Sequence, residues 1–347
     1  MKTVGIIGLG NISAFYGTPD AAAPYCHVGG INNSEKVSLA AVADLAEDRR
    51  ERFKEVWGGV FPEVSYHDSA EAMLDAEDLD IVAVCNRGPH HYTTMLDVIE
   101  AAPKAIFLEK PLSCSLEEMD EMFEKADAKG IPITVSYSRH WSPHVLRLQE
   151  LVKDGIIGEV DTVVGYTGKS FLSFAGHVTD LVCQFAGYDV RATYARGHDP
   201  DPENLGRAAP AEGYEVEPHL DSAIIELESG VRAVHVGREG EHGGFYVDVF
   251  GSAGRVRAGI YTEPHLADEK GTEKDREAFG FPPNDTPFRY AYDQIADHLN
   301  GGPLPHCTGD NARVVNELGF AQIESVRTDR RIELPVANRS RKVFANG

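Results

Sequence analysis

The chain has 347 residues, 42% hydrophobic and 25% charged, which is an ordinary soluble composition with room for two domains, each with its own core. Its 33 basic against 55 acidic side chains give a formal charge of −22, which repels phosphate backbones and anionic lipid and so excludes nucleic acid and membrane surfaces as expected partners. Five cysteines, Cys26, Cys85, Cys114, Cys183 and Cys307, are odd in number and widely spaced, so no disulfide framework and no metal site are expected.

No apolar run approaches the roughly 20 residues that span a bilayer, and Met1 leads directly into a strand without a signal-peptide h-region, so the expected setting is cytoplasmic. Thr3 to Ile7 is a short β-branched strand that opens into Gly8-Leu9-Gly10-Asn11-Ile12-Ser13, a G-x-G-x-x-S form of the dinucleotide fingerprint. Its first two glycines allow a tight turn and close approach of backbone to a pyrophosphate, while Ser13 replaces the third glycine at the helix-packing position. A second strand, Val37 to Ala43, ends in Asp44, whose carboxylate can accept hydrogen bonds from an adenosine ribose. Asp44 lies 36 positions beyond Gly8, where the fingerprint expects about 20, so an insertion is predicted. Pro19 and Pro24, with Gly17, forbid one continuous helix there; the reading is an extra loop from roughly Phe15 to Pro24 and a helix resuming near Tyr25. That loop either borders the mouth of the site or is a tolerated surface insertion.

The alternation continues with a helix over Ala46 to Trp57, a capped helix opened by Asp68 with Glu71 and running to Glu77, and a strand over Asp80 to Cys85. Asn86-Arg87-Gly88-Pro89-His90-His91 follows, then a helix to Ala101. In Ala105 to Pro111, three apolar residues stop abruptly at Glu109-Lys110-Pro111, as in a strand buried on both faces. Lys110 then stands at a strand's carboxyl end, the edge where open α/β sheets bind ligands, or else is a solvated loop lysine. Ser115 with Glu118 opens a further helix that Gly130 closes, before the strand Ile131 to Tyr137. Strand and helix repeated in this way predict an α/β, doubly wound parallel sheet over residues 1–134.

Residues 135–347 read as a second, α+β domain. Ser142-Pro143 starts a helix to Asp154, and strands follow at Glu159 to Tyr166, Leu220 to Leu227, Val231 to Gly237, Phe245 to Phe250 and Arg255 to Tyr261. Ser229-Gly230 and Ser252-Ala253-Gly254 are hairpin turns, so these strands are read as antiparallel neighbours. Ala195 to Pro218 reads as a long loop able to cover a substrate. Gly176 to Ala186 is a short helix carrying His177, Asp180 and Gln184 on one face, with Asp180 able to set the tautomer of His177.

Gly8-Leu9-Gly10-Asn11-Ile12, Ala43-Asp44, Pro89 followed by His91, Glu109-Lys110-Pro111, Tyr137 with Arg139, and Gly176-His177 followed by Asp180 resemble the glucose-fructose oxidoreductase and inositol dehydrogenase family, Gfo/Idh/MocA. The matches keep the family's order down to Thr308-Gly309-Asp310, which opens a long helix ending near Thr328 that could pack back on the first domain. The resemblance implies a Rossmann domain followed by an α+β domain with an open, mostly antiparallel sheet, forming a homodimer or homotetramer. It implies NAD or NADP as cofactor and hydride transfer on a sugar, cyclitol or related polyol. Catalysis would fall to Lys110, His177 and Asp180. Cofactor contacts would come from Gly8, Gly10, Asn11, Ile12, Asp44, Asn86, His91, Glu109 and Lys110, and substrate contacts from Lys110, Tyr137, Arg139, Ser173, His177 and Asp180. Asp44 favours NAD, whereas Arg49 and Arg50 could greet a 2′-phosphate.

One position departs from the family pattern. Relatives often carry an aspartate four residues before this histidine, and here Ser173 can hydrogen-bond but cannot hold a proton or balance the charge of Lys110. Beside the dehydrogenase, the sequence therefore leaves open an NAD-dependent glycosidase working by transient oxidation and a non-catalytic NAD(P)-binding regulator.

Overall fold

The computed structural model describes residues 1–205, 209–238, 244–260, 262–283 and 285–346. Tyr261, the expected end of one strand, and residues 206–208 of the long loop lie outside the described residues. The chain divides into two compact units, one made of residues 1–113, 118–141 and 285–309, the other of 114–117, 142–284 and 310–347. This corrects the expected boundary at 134/135. The segment that returns to the first unit is 285–309, and the final helix belongs to the second.

In the first unit, strands β1 (Lys2–Ile7), β2 (Val37–Ala43), β3 (Ser65–His67), β4 (Ile81–Val84), β5 (Ala105–Leu108) and β6 (Ile133–Val135) form a six-stranded sheet in the order β3-β2-β1-β4-β5-β6. Every pairing is parallel. All four residues of β4 and of β5 are buried, as a strand covered on both faces requires. The crossovers carry helices α1 (His27–Asn32), α2 (Glu47–Trp57), α3 (Ala70–Ala76), α4 (His91–Ala101) and α5 (Leu116–Lys129). The helix after the insertion begins at His27 under a Cys26 cap, two residues beyond the expected start. The third helix is capped by Ser69, whose hydroxyl accepts from Ala72 N–H, rather than by Asp68.

The returning segment holds a helix that the sequence reading omits, α8 (Pro287–Leu299). Pro287 starts it after Thr286, and Phe288, Ala291, Tyr292, Ile295 and Ala296 bury one stripe at helical spacing.

The second unit contains α6 (Pro143–Lys153), α7 (Gly176–Ala186), α9 (Gly309–Thr328) and an eight-stranded sheet. Its strands are β7 (Val160–Tyr166), β8 (Val190–His198), β9 (His219–Leu227), β10 (Arg232–Val236), β11 (Tyr246–Gly251), β12 (Gly254–Gly259), β13 (His265–Asp268) and β14 (Ile332–Glu333), in the order β13-β12-β11-β7-β10-β9-β8-β14. The expected hairpins join β9 to β10 and β11 to β12, and the sheet is mostly antiparallel as expected, with one parallel pair, β10 beside β7. β8 occupies the start of what the sequence presents as a loop. It lacks an apolar run and exists through its pairing with β9. Helix α7 packs on β7, β10 and β11, against the face that buries Val163, Ala233, Val247 and Val249. No described helix is long and apolar enough to cross a membrane.

Candidate functional site

Five residues stand in one row across the parallel sheet: Ala43, Ile7, Val84, Leu108 and Val135. The residues that follow them, Asp44, Gly8, Cys85, Glu109 and Ser136, therefore leave the sheet at the same carboxyl edge, the ligand-binding edge of such folds. Gly8 has φ +93°, and a Cβ there would lie 2.6 Å from the backbone nitrogen of Asn86. Only glycine meets both conditions. A Cβ on Gly10 would meet nothing within 4 Å, which leaves open space against bare backbone where a pyrophosphate could approach. Asn11 is exposed and Ile12 half-buried on a single π-helical turn, Asn11–Phe15, rather than on a regular helix.

Asp44 ties the second strand to this turn. Its Oδ2 accepts from Leu9 N–H at 2.7 Å and its Oδ1 from Ala46 N–H at 2.9 Å, with Arg49 Nη1 at 3.5 Å. Oδ1, with the single donor Ala46 N–H, keeps a second lone pair for a ribose hydroxyl. Asn86 donates from Nδ2 to Thr94 Oγ1 at 2.7 Å, while its buried Oδ1 has no hydrogen-bond partner. A buried acceptor of this kind is expected to find a donor, and together with the space at Gly10 it fits a dinucleotide rich in hydroxyl groups.

His91 was expected to touch the cofactor, and the structure gives it a different place. The ring is fully buried, with Nδ1 2.7 Å from Pro111 O and Nε2 2.9 Å from Asn86 O. Burial holds its pKa below the usual value even though both carbonyls favour the charged ring. It positions the turns bearing Asn86 and Pro111 through their backbones.

Glu109 is likewise buried, at 4% exposure. Its Oε1 lies 3.0 Å from His27 Nε2, and His27 Nδ1 lies 2.8 Å from Tyr292 Oη. Its Oε2 accepts from the Lys110 N–H at 3.2 Å. Burial pushes the carboxyl pKa up, but His27, Lys110 and the Ser136 hydroxyl more than offset this, and it stays below the ordinary value. The imidazole is packed between Phe107 and Phe288, each 4.7 Å away between ring centres. The insertion thus delivers a partner for Glu109 that sequence reasoning missed. A histidine opening the resumed helix was its one visible sign.

Lys110 itself is half-buried at this edge. Tyr137 and Arg139, expected as substrate contacts, are each only 2% exposed. Arg139 Nη1 donates to Ser138 Oγ at 3.3 Å, and Ser138 Oγ lies 2.6 Å from Tyr25 Oη.

In the second unit, a π-helical turn, Phe171–Ala175, runs directly into α7. Such turns recur at functional sites. Ser173 lies four residues before His177, and Asp180 three after it, so the three follow one side of the helical path. His177 is half-buried with its ring edge toward Phe245, 6.2 Å between centres. Asp180 is fully buried and accepts from Gln184 Nε2 at 2.8 Å and from the Tyr188 hydroxyl at 3.2 Å. The unexpected member of this group is Glu217. It accepts from the backbone N–H groups of Leu172 and Ser173, the latter at 2.9 Å, and from the Ser173 hydroxyl at 2.6 Å.

Residues 2–137 match the oxidoreductase family with an NAD-binding Rossmann fold, Gfo/Idh/MocA. A myo-inositol 2-dehydrogenase of Thermotoga maritima is 24% identical over 351 residues, spanning 95% of this chain and 98% of its own. An NAD(+)-dependent scyllo-inositol 2-dehydrogenase of Bacillus subtilis is 26% identical over 281 residues, 76% of this chain and 80% of its own. Among solved structures, a levoglucosan dehydrogenase in complex with NADH and levoglucosan superposes with a TM-score of 0.76 at 16% identity, covering 96% of this chain and 99% of that one. The fold and the fingerprint turn agree with these matches: residues 2–137 are similar to the Gfo/Idh/MocA oxidoreductases with an NAD-binding Rossmann fold, and the chain as a whole is similar to the inositol dehydrogenases named above.

Proposed function

We propose that this protein is an NAD(P)-dependent dehydrogenase that oxidises a secondary alcohol of a sugar, cyclitol or related polyol, with Lys110 and His177 as its acid–base groups. The observation that carries the reading is the shared carboxyl edge at which Gly8, Gly10, Asp44, Asn86 and Lys110 emerge from neighbouring strands. The inositol and levoglucosan dehydrogenases among the relatives support the substrate class.

Oxidising a carbinol removes a hydride from carbon and a proton from oxygen; the nicotinamide, when bound, takes the hydride. Lys110 receives the proton at Nζ, and Glu109, held below the usual carboxylate pKa, keeps a negative charge at the base of that lysine. His177 shares the proton or holds the hydroxyl, and Asp180 helps to set the helix face that carries it. Gly8, Gly10, Asn11 and Ile12 would form the phosphate turn. Asp44 supports NAD over NADP, because its carboxylate suits ribose hydroxyls and repels a 2′-phosphate.

We also infer a homodimer or homotetramer. On the sheet face turned away from α7, Ile224 is 53% exposed, beside Val234, Val164 and the stacked rings of Tyr166 and Tyr246. A cytoplasmic setting suits five buried cysteines that form no disulfide.

The test is a panel of polyols and sugars with NAD and NADP. Accumulation of NADH in step with product supports the dehydrogenase. Release of aglycone from glycosides without net NADH would instead support the glycosidase. If neither occurs while NAD binds, the protein is a regulator.

A further inference from the structure

Glu217 closes the long loop before β9, and of the acids at 199–218 that have a described place it is the buried one: Asp199, Asp201, Glu203, Glu212 and Glu215 are exposed, whereas Glu217 is 5% exposed. A buried carboxylate is costly unless donors hold it. Here the donors come from the turn that leads into His177.

Backbone pairing sets the register. Ser170 forms an isolated bridge with His219, Leu220 N–H donates to Lys169 O at 2.9 Å, and Phe171 N–H donates to Pro218 O at 3.3 Å. The chain at 218–220 therefore runs against 169–171, and Glu217 reaches past the end of that pairing to the next two residues. Its Oε1 takes both Leu172 N–H and Ser173 N–H, and its Oε2 takes the Ser173 hydroxyl.

The last bond has a chemical consequence. A serine has one hydroxyl proton and two lone pairs. With the proton donated to a carboxylate oxygen at 2.6 Å, Ser173 Oγ can only accept from any other group. Ser173 lies one turn before His177 on the same side of the helical path. We propose that Glu217 is a positioning residue that commits the Ser173 hydroxyl proton, so that Ser173 serves as a hydrogen-bond acceptor selecting substrates that present a free hydroxyl there. The pair supplies by two side chains a carboxylate that position 173 does not itself carry.

This inference rests on the dehydrogenase reading and deepens it. A site polarised in this way favours a hydroxyl over an ether or carbonyl oxygen, because the latter would set two acceptors against each other without a proton between them.

The test uses Glu217→Gln, Ser173→Ala and the double variant in the full-length chain. The glutamine keeps an oxygen for the two backbone N–H groups but turns an NH₂ toward Ser173 Oγ, which then must accept. Its melting temperature should stay close to wild type. With the best polyol of the panel, kcat/KM should fall roughly 10- to 100-fold in each single variant. The double variant should be no worse than either single, since the two residues act as one unit. Glu217→Gln should also erase the preference of wild type for the free polyol over its mono-O-methyl ethers. Full kcat/KM in a folded Glu217→Gln, or losses that multiply in the double variant, would overturn the proposal while leaving the dehydrogenase intact. If Glu217→Gln fails to fold, Ser173→Ala decides, because it leaves the two backbone bonds in place: unchanged kcat/KM and unchanged ether discrimination overturn it. If wild type oxidises nothing in the panel, the dehydrogenase reading fails first and this inference falls with it.

Discussion

Two buried carboxylates organise the two units, and they are held in different ways. Glu109, at the edge of the parallel sheet, is flanked by His27 and by the lysine next to it in the chain. Among its partners, Glu217 takes two backbone N–H groups and one hydroxyl from the turn into α7. A carboxylate bound to a histidine and beside a lysine depends on the charge state of its partners. Bonds to peptide N–H groups, in contrast, tie a carboxylate to the shape of the backbone. The first arrangement suits a place where a proton is handed over, and the second a place where geometry must be kept.

The sharpest test of this contrast is Lys110→Met, which keeps length and most of the volume while removing the amine. Turnover should fall roughly 10²- to 10⁴-fold, with NAD affinity by titration and melting temperature nearly unchanged. Full activity would detach the sheet edge from the chemistry. His177→Asn should act in the same direction but less severely.

Breaking the Glu109 pair should instead appear in stability. His27→Ala leaves a carboxylate buried at 4% exposure without its imidazole and opens a hole between Phe107 and Phe288, so denaturant unfolding should show a loss of about 3–5 kcal/mol. A loss below about 1 kcal/mol would mean that the pair holds nothing there.

The second unit has its own response to acid. His235 is fully buried beside Thr179, with Nδ1 3.2 Å from the Thr179 hydroxyl, and burial drives its pKa down to about 3. The unfolded chain then binds a proton below about pH 6.5 that the folded chain refuses. Stability contributed by the neutral ring is complete above that pH and should drain away by about 1.4 kcal/mol per pH unit as the pH falls toward 3. Denaturant curves at pH 7, 6 and 5 would show the slope, and His235→Gln should flatten it.

Smaller effects distinguish the two glycines of the fingerprint turn. Gly10→Ala should fold normally and weaken NAD binding, since its Cβ enters open space, whereas Gly8→Ala should lower the melting temperature itself. Calorimetric titration with both cofactors should also show NAD bound more tightly than NADP. The smallest expected effect belongs to the insertion: replacing 16–23, mostly exposed, by a short turn while keeping Pro24 and His27 should raise KM a few-fold with stability unchanged. Unaltered kinetics would mark it as a bystander.

Much of the first unit was legible because its signals are local. The β1 strand, the glycine turn, Asp44 and the Ile-Phe-Leu run before Glu109 each declare themselves within a few residues, and periodicity alone separates their strands from their helices. Helix α8 carries the same local signals, a proline start and an apolar stripe. β8 was not readable, because its residues form a strand only beside β9.

The sequence by itself determined the doubly wound sheet and the candidate lysine, since a buried parallel strand must be continuously apolar and must release its first polar residues at the carboxyl edge. It also showed that position 173 carries no carboxylate. Only the tertiary structure decided what stands there instead. Glu217 lies 44 residues away in a loop with five other acids, and no local pattern distinguishes the one that will be desolvated. Pairing of 169–171 with 218–220 makes that choice, as the packing of α1 and α8 chooses His27 and Tyr292 for Glu109. Hydrogen-bond partners of buried charges are set by which backbones meet, and that is a property of the folded chain rather than of any segment in it.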